Sequence, residues 1–410
     1  MNFVVNSKTF TSFLYFGIIF WMKRYLEPHI RQDLAKKMVF IGGPRQVGKT
    51  TMAKHIAQDY ANPTYLNWDS RDDKKAILAN TFAGGGTELV IYDEIHKYRD
   101  WKNHLKGVYD TRKGDFGILV KGSARLDLFQ KGGDSLLGRY FYYRLHPLSI
   151  AELLGKPYDR VAGMVFAEHI PAALWQDLIT FGGFPEVYLA KDLRDLKRWH
   201  HDREKRLIQE DIRDVSNIRD LSTLEILATL LPERVGSLFS LNALTTDLKV
   251  THKTISHWMD TLEQMYFCYR IYPYQHTMLK SLRKEPKIYM WDYTGVGIEG
   301  NLGAKYENIV ANHLLKYTHY LTDIYGIPAE LYFLRDKEQR EVDFCIVADG
   351  VIECIIEVKA KKAAISPHLK YFKEKLNVKH AYQLVFEDDV DEDHNGIRMM
   401  SASKFLSGLV

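Results

Sequence analysis

The chain has 410 residues, of which 46% are apolar and 26% charged. That is the make-up of a folded protein of roughly two to four domains, and it excludes a disordered, collagen-like or polytopic membrane chain. Basic residues exceed acidic ones by only 56 − 52 = 4, so any nucleic-acid contact has to come from a local patch and not from overall charge.

Residues 10–22 read FTSFLYFGIIFWM. This run is shorter than the ~20 residues of a spanning helix, and no A-x-A-like cleavage site precedes Lys23. The expectation is that residues 1–21 are an upstream extension outside the fold, with a membrane-surface anchor as the alternative and no stable membrane span. Cys268, Cys345 and Cys354 show no CxxC spacing and sit among apolar neighbours. A zinc ribbon or disulfide framework is therefore not expected, and a cytoplasmic location fits.

Short apolar runs at Met38–Ile41, Glu88–Tyr92 and Gly117–Val120 predict buried strands of a parallel sheet. Lys49–Gln58 and Trp101–Tyr109 predict the helices between them, which makes an α/β domain of βαβ type. From Ile170 to about Asp220 the chain reads as helical and charged. Leu221–Tyr274 carries three short helical signals and then an aromatic, strand-like run, and Pro286 marks another boundary. A helix over about Leu302–Tyr317 and a set of strands ending near Val385 follow, and Glu387–Asp393 reads as a solvated acidic loop.

The segment Gly43-Pro44-Arg45-Gln46-Val47-Gly48-Lys49-Thr50-Thr51 satisfies G-x-x-x-x-G-K-[ST] between an apolar strand and a helix. The glycines let successive N–H groups curl around a β-phosphate, Lys49 supplies charge, Thr50 offers a hydroxyl to Mg²⁺, and the helix N-terminus favours an anion. ATP and Mg²⁺ are the implied ligands. LVIYDE then ends a nearby strand with Asp93 to hold Mg²⁺ and Glu94 to polarise an attacking water. Ser123, after the third strand, is either a reader of the γ-phosphate or an ordinary turn serine. Phosphoryl transfer also wants a mobile positive charge, for which Arg139 is the choice, Arg125 and Arg144 are competitors, and a plain surface arginine is the alternative. In trans, Arg139 requires a homo-oligomer.

Leu221–Leu231, a second helix capped at Ser240, and Thr251–Leu262 leading into CYRIYPY give the order of a winged helix. Thr251, His252, Lys253, Thr254 and His257 would face outward, as a DNA reader requires, although many such modules only pack domains together.

Glu341–Lys359 reads EVDFCIVADGVIECIIEVK, two strands flanking Ala348-Asp349-Gly350. A three-residue loop pairs Val347 with Val351 and Asp343 with Ile355, so Asp343 becomes a diagonal neighbour of Glu357. The even-numbered residues then form an apolar face, opposite Glu341, Asp343, Glu353, Glu357 and Lys359. Two acids can share a divalent metal there with Lys359 beside it, whereas the simplest alternative turns those charges to water. With Glu307 on an upstream helix, the D-x13-E-x-K spacing resembles the PD-(D/E)xK nuclease site.

In order along the chain come GPRQVGKTT, YDEIHK, KGSAR, the Gly138–Arg139 pair, GGFPE at Gly182–Glu186 and EDI at Glu210–Ile212. From Met22 onward the sequence resembles the prokaryotic AAA-type ATPases that carry a C-terminal domain of unknown function. The resemblance implies an ATPase core at 22–160, a helical lid at 161–220, a winged-helix segment at 221–284 and an α/β restriction-endonuclease-like domain at 285–410. The function expected is ATP binding and hydrolysis acting with the nuclease-like tail on DNA. The alternative is a nucleotide-gated switch that binds protein or nucleic acid and cuts nothing.

Overall fold

The computed structural model describes residues 23–410 apart from 84–85, 113, 123–135, 157–162, 213–217, 219, 276–280, 283 and 298–299. The apolar segment at 1–21, Ser123 and Arg125 therefore lie outside the described residues. The chain divides into two units, one running to Pro147 with Phe184–Ala190 added, the other made of Leu148–Gly183 and Lys191–Val410.

The first unit contains α1 (Glu27–Leu34), β1 (Met38–Gly42), α2 (Lys49–Ala57), β2 (Pro63–Asn67), α3 (Arg71–Ala79), β3 (Leu89–Asp93), α4 (Trp101–Arg112), β4 (Gly117–Lys121) and β5 (Tyr140–Arg144). All its strands are parallel, in the order β2-β3-β4-β1-β5. β1 and β3 are buried at every position, which explains why the apolar runs in this part of the sequence show no alternation. Phe40, Tyr92 and Val120 of the sheet pack with Ile77, Trp101 and Leu105 of the helices. A fully buried leucine such as Leu105 contributes about 1.5–3 kcal/mol. Sequence reading did not find β2 and β5. β2 begins at a proline and is half-exposed, and β5 is an aromatic edge strand with the pattern YFYYR.

The second unit begins with α5 (Ile150–Leu153) and α6 (Ala172–Phe181). After α7 (Pro185–Ala190), which belongs to the first unit, come α8 (Leu193–Arg206), α9 (Leu221–Leu230), α10 (Leu241–Leu248), α11 (His252–Gln264), β6 (Cys268–Pro273) and β7 (Lys287–Met290). The tail adds α12 (Leu302–Tyr325), β8 (Ala329–Arg335), β9 (Glu341–Ala348), β10 (Val351–Lys359), α13 (Pro367–Lys375), β11 (Ala381–Val385), β12 (Asp391–His394), β13 (Ile397–Ser401) and α14 (Ala402–Leu406). Its eight strands have the order β12-β13-β11-β10-β9-β8-β6-β7.

Three details differ from the sequence reading. β6 pairs with β8 through Tyr272–Tyr332 and Pro273–Phe333, so the strand expected to close a separate winged-helix segment is part of the tail's sheet. The first tail helix runs on to Tyr325, where Gly326 stops it in a left-handed conformation (φ 67). The acidic run contributes an edge strand, β12, whose hydrogen bonds to β13 leave Asp391, Asp393 and His394 exposed. The helix–helix–strand order after Leu221 is present, with Thr251, His252, Lys253 and His257 exposed. Thr251 accepts from the Thr254 amide and caps α11. Ser240 precedes α10 but makes no capping hydrogen bond. All three cysteines are free and buried. Among the described residues no helix is long and apolar enough to cross a membrane.

Candidate functional site

Parallel strands bring their carboxyl ends to one edge of a sheet, and in open α/β sheets that edge takes the ligand. Here it assembles the loop after β1, Asp93 at the end of β3 and Lys121 at the end of β4. Gly43 has φ 135, and a Cβ there would stand 2.4 Å from the Leu145 carbonyl oxygen, so only glycine fits. Gly48 (φ 99) is the N-cap of α2, whose first residue is Lys49. The Lys49 ammonium donates to the carbonyls of Gly43 and Pro44, both at 2.7 Å, which curls its side chain over the loop. Loss of hydration lowers its pKa to about 7, while nearby Glu94 works in the opposite direction.

Arg24 braces the loop from outside. It is buried and donates to the Val47 carbonyl and to the His146 carbonyl, each at 2.6 Å. Gln46 donates to Glu186 of the GGFPE segment at 3.1 Å.

Asp93 is buried. One of its oxygens accepts from the Tyr65 hydroxyl at 2.6 Å and pairs with the Lys121 ammonium, also at 2.6 Å. The same ammonium donates to the Thr50 hydroxyl at 2.7 Å. Thr50 and Asp93 are thus spanned by a single cation. Glu94 follows in the left-handed region (φ 55), a conformation that costs a non-glycine residue about 1–3 kcal/mol and concentrates at functional sites. Its amide donates to the Lys121 carbonyl at 3.1 Å, and His96 lies 3.5 Å from its carboxylate.

A second cluster lies in the other unit. β9 and β10 are joined by Asp349-Gly350, both left-handed (φ 50 and 76), so Val351 pairs with Ala348. This two-residue turn replaces the expected three-residue loop. A bulge between Ile352 and Cys354 then shifts the register and sets Phe344 opposite Ile356. One residue further on, Asp343 is level with Glu357 and not diagonal to it. Parity flips at the bulge, and Glu353 leaves the acidic face to accept from the Tyr317 hydroxyl at 2.8 Å.

Lys287, the first residue of β7, is almost wholly buried and stands among the acids. Its ammonium is 2.8 Å from Glu341, 3.1 Å from Glu307 and 3.5 Å from Asp343. Burial works against its charge, but the carboxylates of Glu307, Asp343 and Glu341 prevail and hold its pKa well above the ordinary value. The Tyr289 hydroxyl donates to Glu307 at 2.6 Å, the Val358 amide to Asp343 at 2.9 Å and Lys359 to Glu357 at 2.7 Å. Burial, and next the charge of Asp343, push Glu307 and Glu357 up to about 7. The other Glu357 oxygen is buried and takes no hydrogen bond among the described residues.

Residues 35–154 match the AAA domain family. That match falls almost wholly within the first unit. Residues 302–405 match the domain of unknown function DUF4143, and residues 172–298 match another, DUF8612. An uncharacterized protein of Mycobacterium tuberculosis is 24% identical over 326 residues, covering 76% of this chain and 68% of that protein. One of Methanocaldococcus jannaschii is 23% identical over 427 residues, covering 91% and 85%. Among solved structures, the RuvB Holliday junction branch migration motor of Thermotoga maritima has a TM-score of 0.32 at 19% identity, covering 63% of this chain and 91% of that one. A Walker-type ATPase of Pyrococcus abyssi has a TM-score of 0.44 at 14% identity, covering 67% and 94%.

In the AAA domain, Lys49, Thr50, Asp93 and Glu94 stand at one edge of the sheet, and Arg139 does not. The Met38 amide donates to the Arg139 carbonyl at 3.1 Å, and the guanidinium bonds Asp110 at 2.8 and 3.0 Å. Arg139 therefore sits at the amino-terminal end of β1, a strand length of about 16 Å from the phosphate loop, and cannot serve phosphates bound in its own chain. Its competitor Arg144 pairs with Gly42 at the carboxyl end.

The two expected metal sites fare differently. Thr50 and Asp93 are hard oxygen donors of the kind Mg²⁺ takes, and both contact the Lys121 ammonium. The tail acids do not suit the divalent metal expected of Glu307, Asp343 and Glu357. Among the described residues no group of three or more His, Cys, Asp or Glu is arranged to hold one, and the Lys287 ammonium already lies among Glu307, Glu341 and Asp343. Sequence reading missed Arg24, Tyr65, Lys121, Lys287 and Tyr289.

Proposed function

We propose that the chain binds and hydrolyses ATP, and that hydrolysis acts through a restriction-endonuclease-like tail directed at DNA. The spanning of Thr50 and Asp93 by one cation, beside Lys49 at the head of α2, supports the ATPase half of this reading, and the tail half rests on the spacing of Asp343, Glu357 and Lys359.

Main-chain amides of Gly43–Thr51 and the N-terminus of α2 receive the phosphates. Lys49 exchanges its two carbonyl partners for phosphate oxygens, and the incoming negative charge raises its lowered pKa, so it binds as the ammonium. Thr50 and Asp93 would hold Mg²⁺, which would neutralise charge on the phosphate oxygens. Glu94, held rigidly just beyond Asp93, orients the attacking water and accepts its proton. Arg139 acts on a nucleotide held by a second copy of the chain.

One observation favours a second reading of the tail, in which it binds its partner and cuts nothing: Lys287 is locked among Glu307, Glu341 and Asp343. The two readings separate in one experiment. The protein is incubated with plasmid or linear DNA in Mg²⁺ or Mn²⁺, with and without ATP, beside a phosphate-release assay. Turnover lost in Lys49→Ala supports the ATPase, and turnover that survives that change refutes it. DNA cleavage lost in Glu357→Ala but kept in Lys49→Ala supports a tail nuclease. Intact ATP hydrolysis without cleavage supports the switch.

A further inference from the structure

The position of Lys121 carries a consequence of its own. It is the last residue of β4, a central strand flanked by β1 and β3, so it emerges between the phosphate loop and Asp93. Its side chain is almost completely buried, yet it keeps two short polar contacts, to Thr50 and to Asp93. The Tyr65 hydroxyl shares the same Asp93 oxygen, and the ammonium lies 5.6 Å from the Tyr65 ring. A buried lysine is costly unless it is paired, and this one is paired with the groups that would otherwise hold a divalent metal.

The arrangement differs from that of Lys287. Lys121 is held by one carboxylate and one hydroxyl, and Thr50 itself is exposed. Lysine carries a point charge on a flexible four-carbon stem and can follow an incoming anion without movement of its backbone. Metal-free triphosphate is ordinarily repelled from such a site by the strand-end acid. Here that acid is already neutralised, and the neutralising charge is free to turn to the phosphate.

Resting on the ATP-binding reading above, we infer that Lys121 is a resident counter-cation of the nucleotide site. Without nucleotide it ties Thr50 to Asp93. With nucleotide and no divalent metal it pairs with the terminal phosphates, so this chain retains nucleotide in the absence of metal.

The test is equilibrium binding of a fluorescent ribose-labelled ATP to the full chain, in excess EDTA and in Mg²⁺, for wild type, Lys121→Met and Lys121→Arg. Wild type should bind in EDTA within about tenfold of its Mg²⁺ affinity. Lys121→Met should lose at least tenfold more affinity in EDTA than in Mg²⁺, and Lys121→Arg should behave as wild type. Wild-type binding that needs Mg²⁺ overturns the inference and leaves the ATPase reading standing, and it does so even should Lys121→Met fail to fold. Equal losses for Lys121→Met in both buffers overturn it as well, because they mark a structural role only. No binding in either buffer overturns both readings.

Discussion

Replacing Lys287 with methionine keeps the length and the apolar stem of the side chain and removes one charge. The acids around it, Glu307, Glu341 and Asp343, then lose their shared partner in a buried place. Breaking a buried ionic network by deleting one partner costs about 3–5 kcal/mol, because the remaining charges stay desolvated. Arg335 still pairs with Glu341 at 2.5 Å, so the loss falls mainly on Glu307 and Asp343. The sign of the pH dependence follows from the acids. Glu307 and Glu357 titrate at about 7 in the folded protein, above the ordinary glutamate value of about 4.3, so folding takes up protons between those limits. Their contribution favours the fold at low pH and is lost as pH rises through that window. Lys287 itself, with its pKa raised, keeps its full stabilising contribution throughout this range. Without Lys287 the two glutamates shift further upward. The variant should therefore be most destabilised near pH 8 and should recover as pH falls toward 5. Hydrogen exchange on peptides covering β9 and β10 reads this locally. Millimolar Mn²⁺ should restore protection in the variant, by about 2.7 kcal/mol at a hundred times its Kd, and should do nothing for the wild-type tail. A pH-independent loss below about 1 kcal/mol, or Mn²⁺ protection of the wild-type β9–β10 region, would refute the reasoning and restore the divalent-metal site.

Other outcomes bear on the AAA domain. Glu94→Gln should lower steady-state ATP turnover by about 10²–10⁴ while labelled ATP still binds, and unchanged turnover would remove Glu94 from the chemistry. Gly43→Ala should abolish nucleotide binding and lower the thermal midpoint, because its Cβ would meet the Leu145 carbonyl oxygen at 2.4 Å with φ at 135; a wild-type melting curve would contradict this geometry. Arg139→Ala should leave the turnover of dilute protein unchanged. Any loss that appears should grow with protein concentration, and a loss independent of concentration would mean that Arg139 reaches its own chain's nucleotide after all.

The chemistry legible in the sequence was chemistry encoded locally. Gly43–Thr51 could be read because loop, lysine and helix start are contiguous, and Asp93 because a strand delivers it with its apolar run attached. Asp343, Glu357 and Lys359 could be read from spacing along one hairpin, although the bulge beside Glu353 changed which residues face each other. That Arg139 lies away from its own phosphate loop could not be read, because it depends on β5 running parallel to β1, which nothing near Arg139 encodes. Lys121 and Lys287 were missed for a related reason. Lys121 has partners 28 and 71 residues away, at Asp93 and Thr50, and Lys287 has partners from 20 to 56 residues away, from Glu307 to Asp343, so no motif links them. A signal for them exists all the same. Lys121 closes the run ILVK and Lys287 opens the run KIYM. A charge at the end of a polar, alternating strand can turn to water. At the end of a strand apolar on both faces it has no such exit, and burying it alone costs more than a fold can bear, so a carboxylate must come to meet it. A lysine bordering an unbroken apolar strand, in a chain that also carries strand-end acids, therefore marks a place where a metal ion and an internal ammonium compete for the same oxygens.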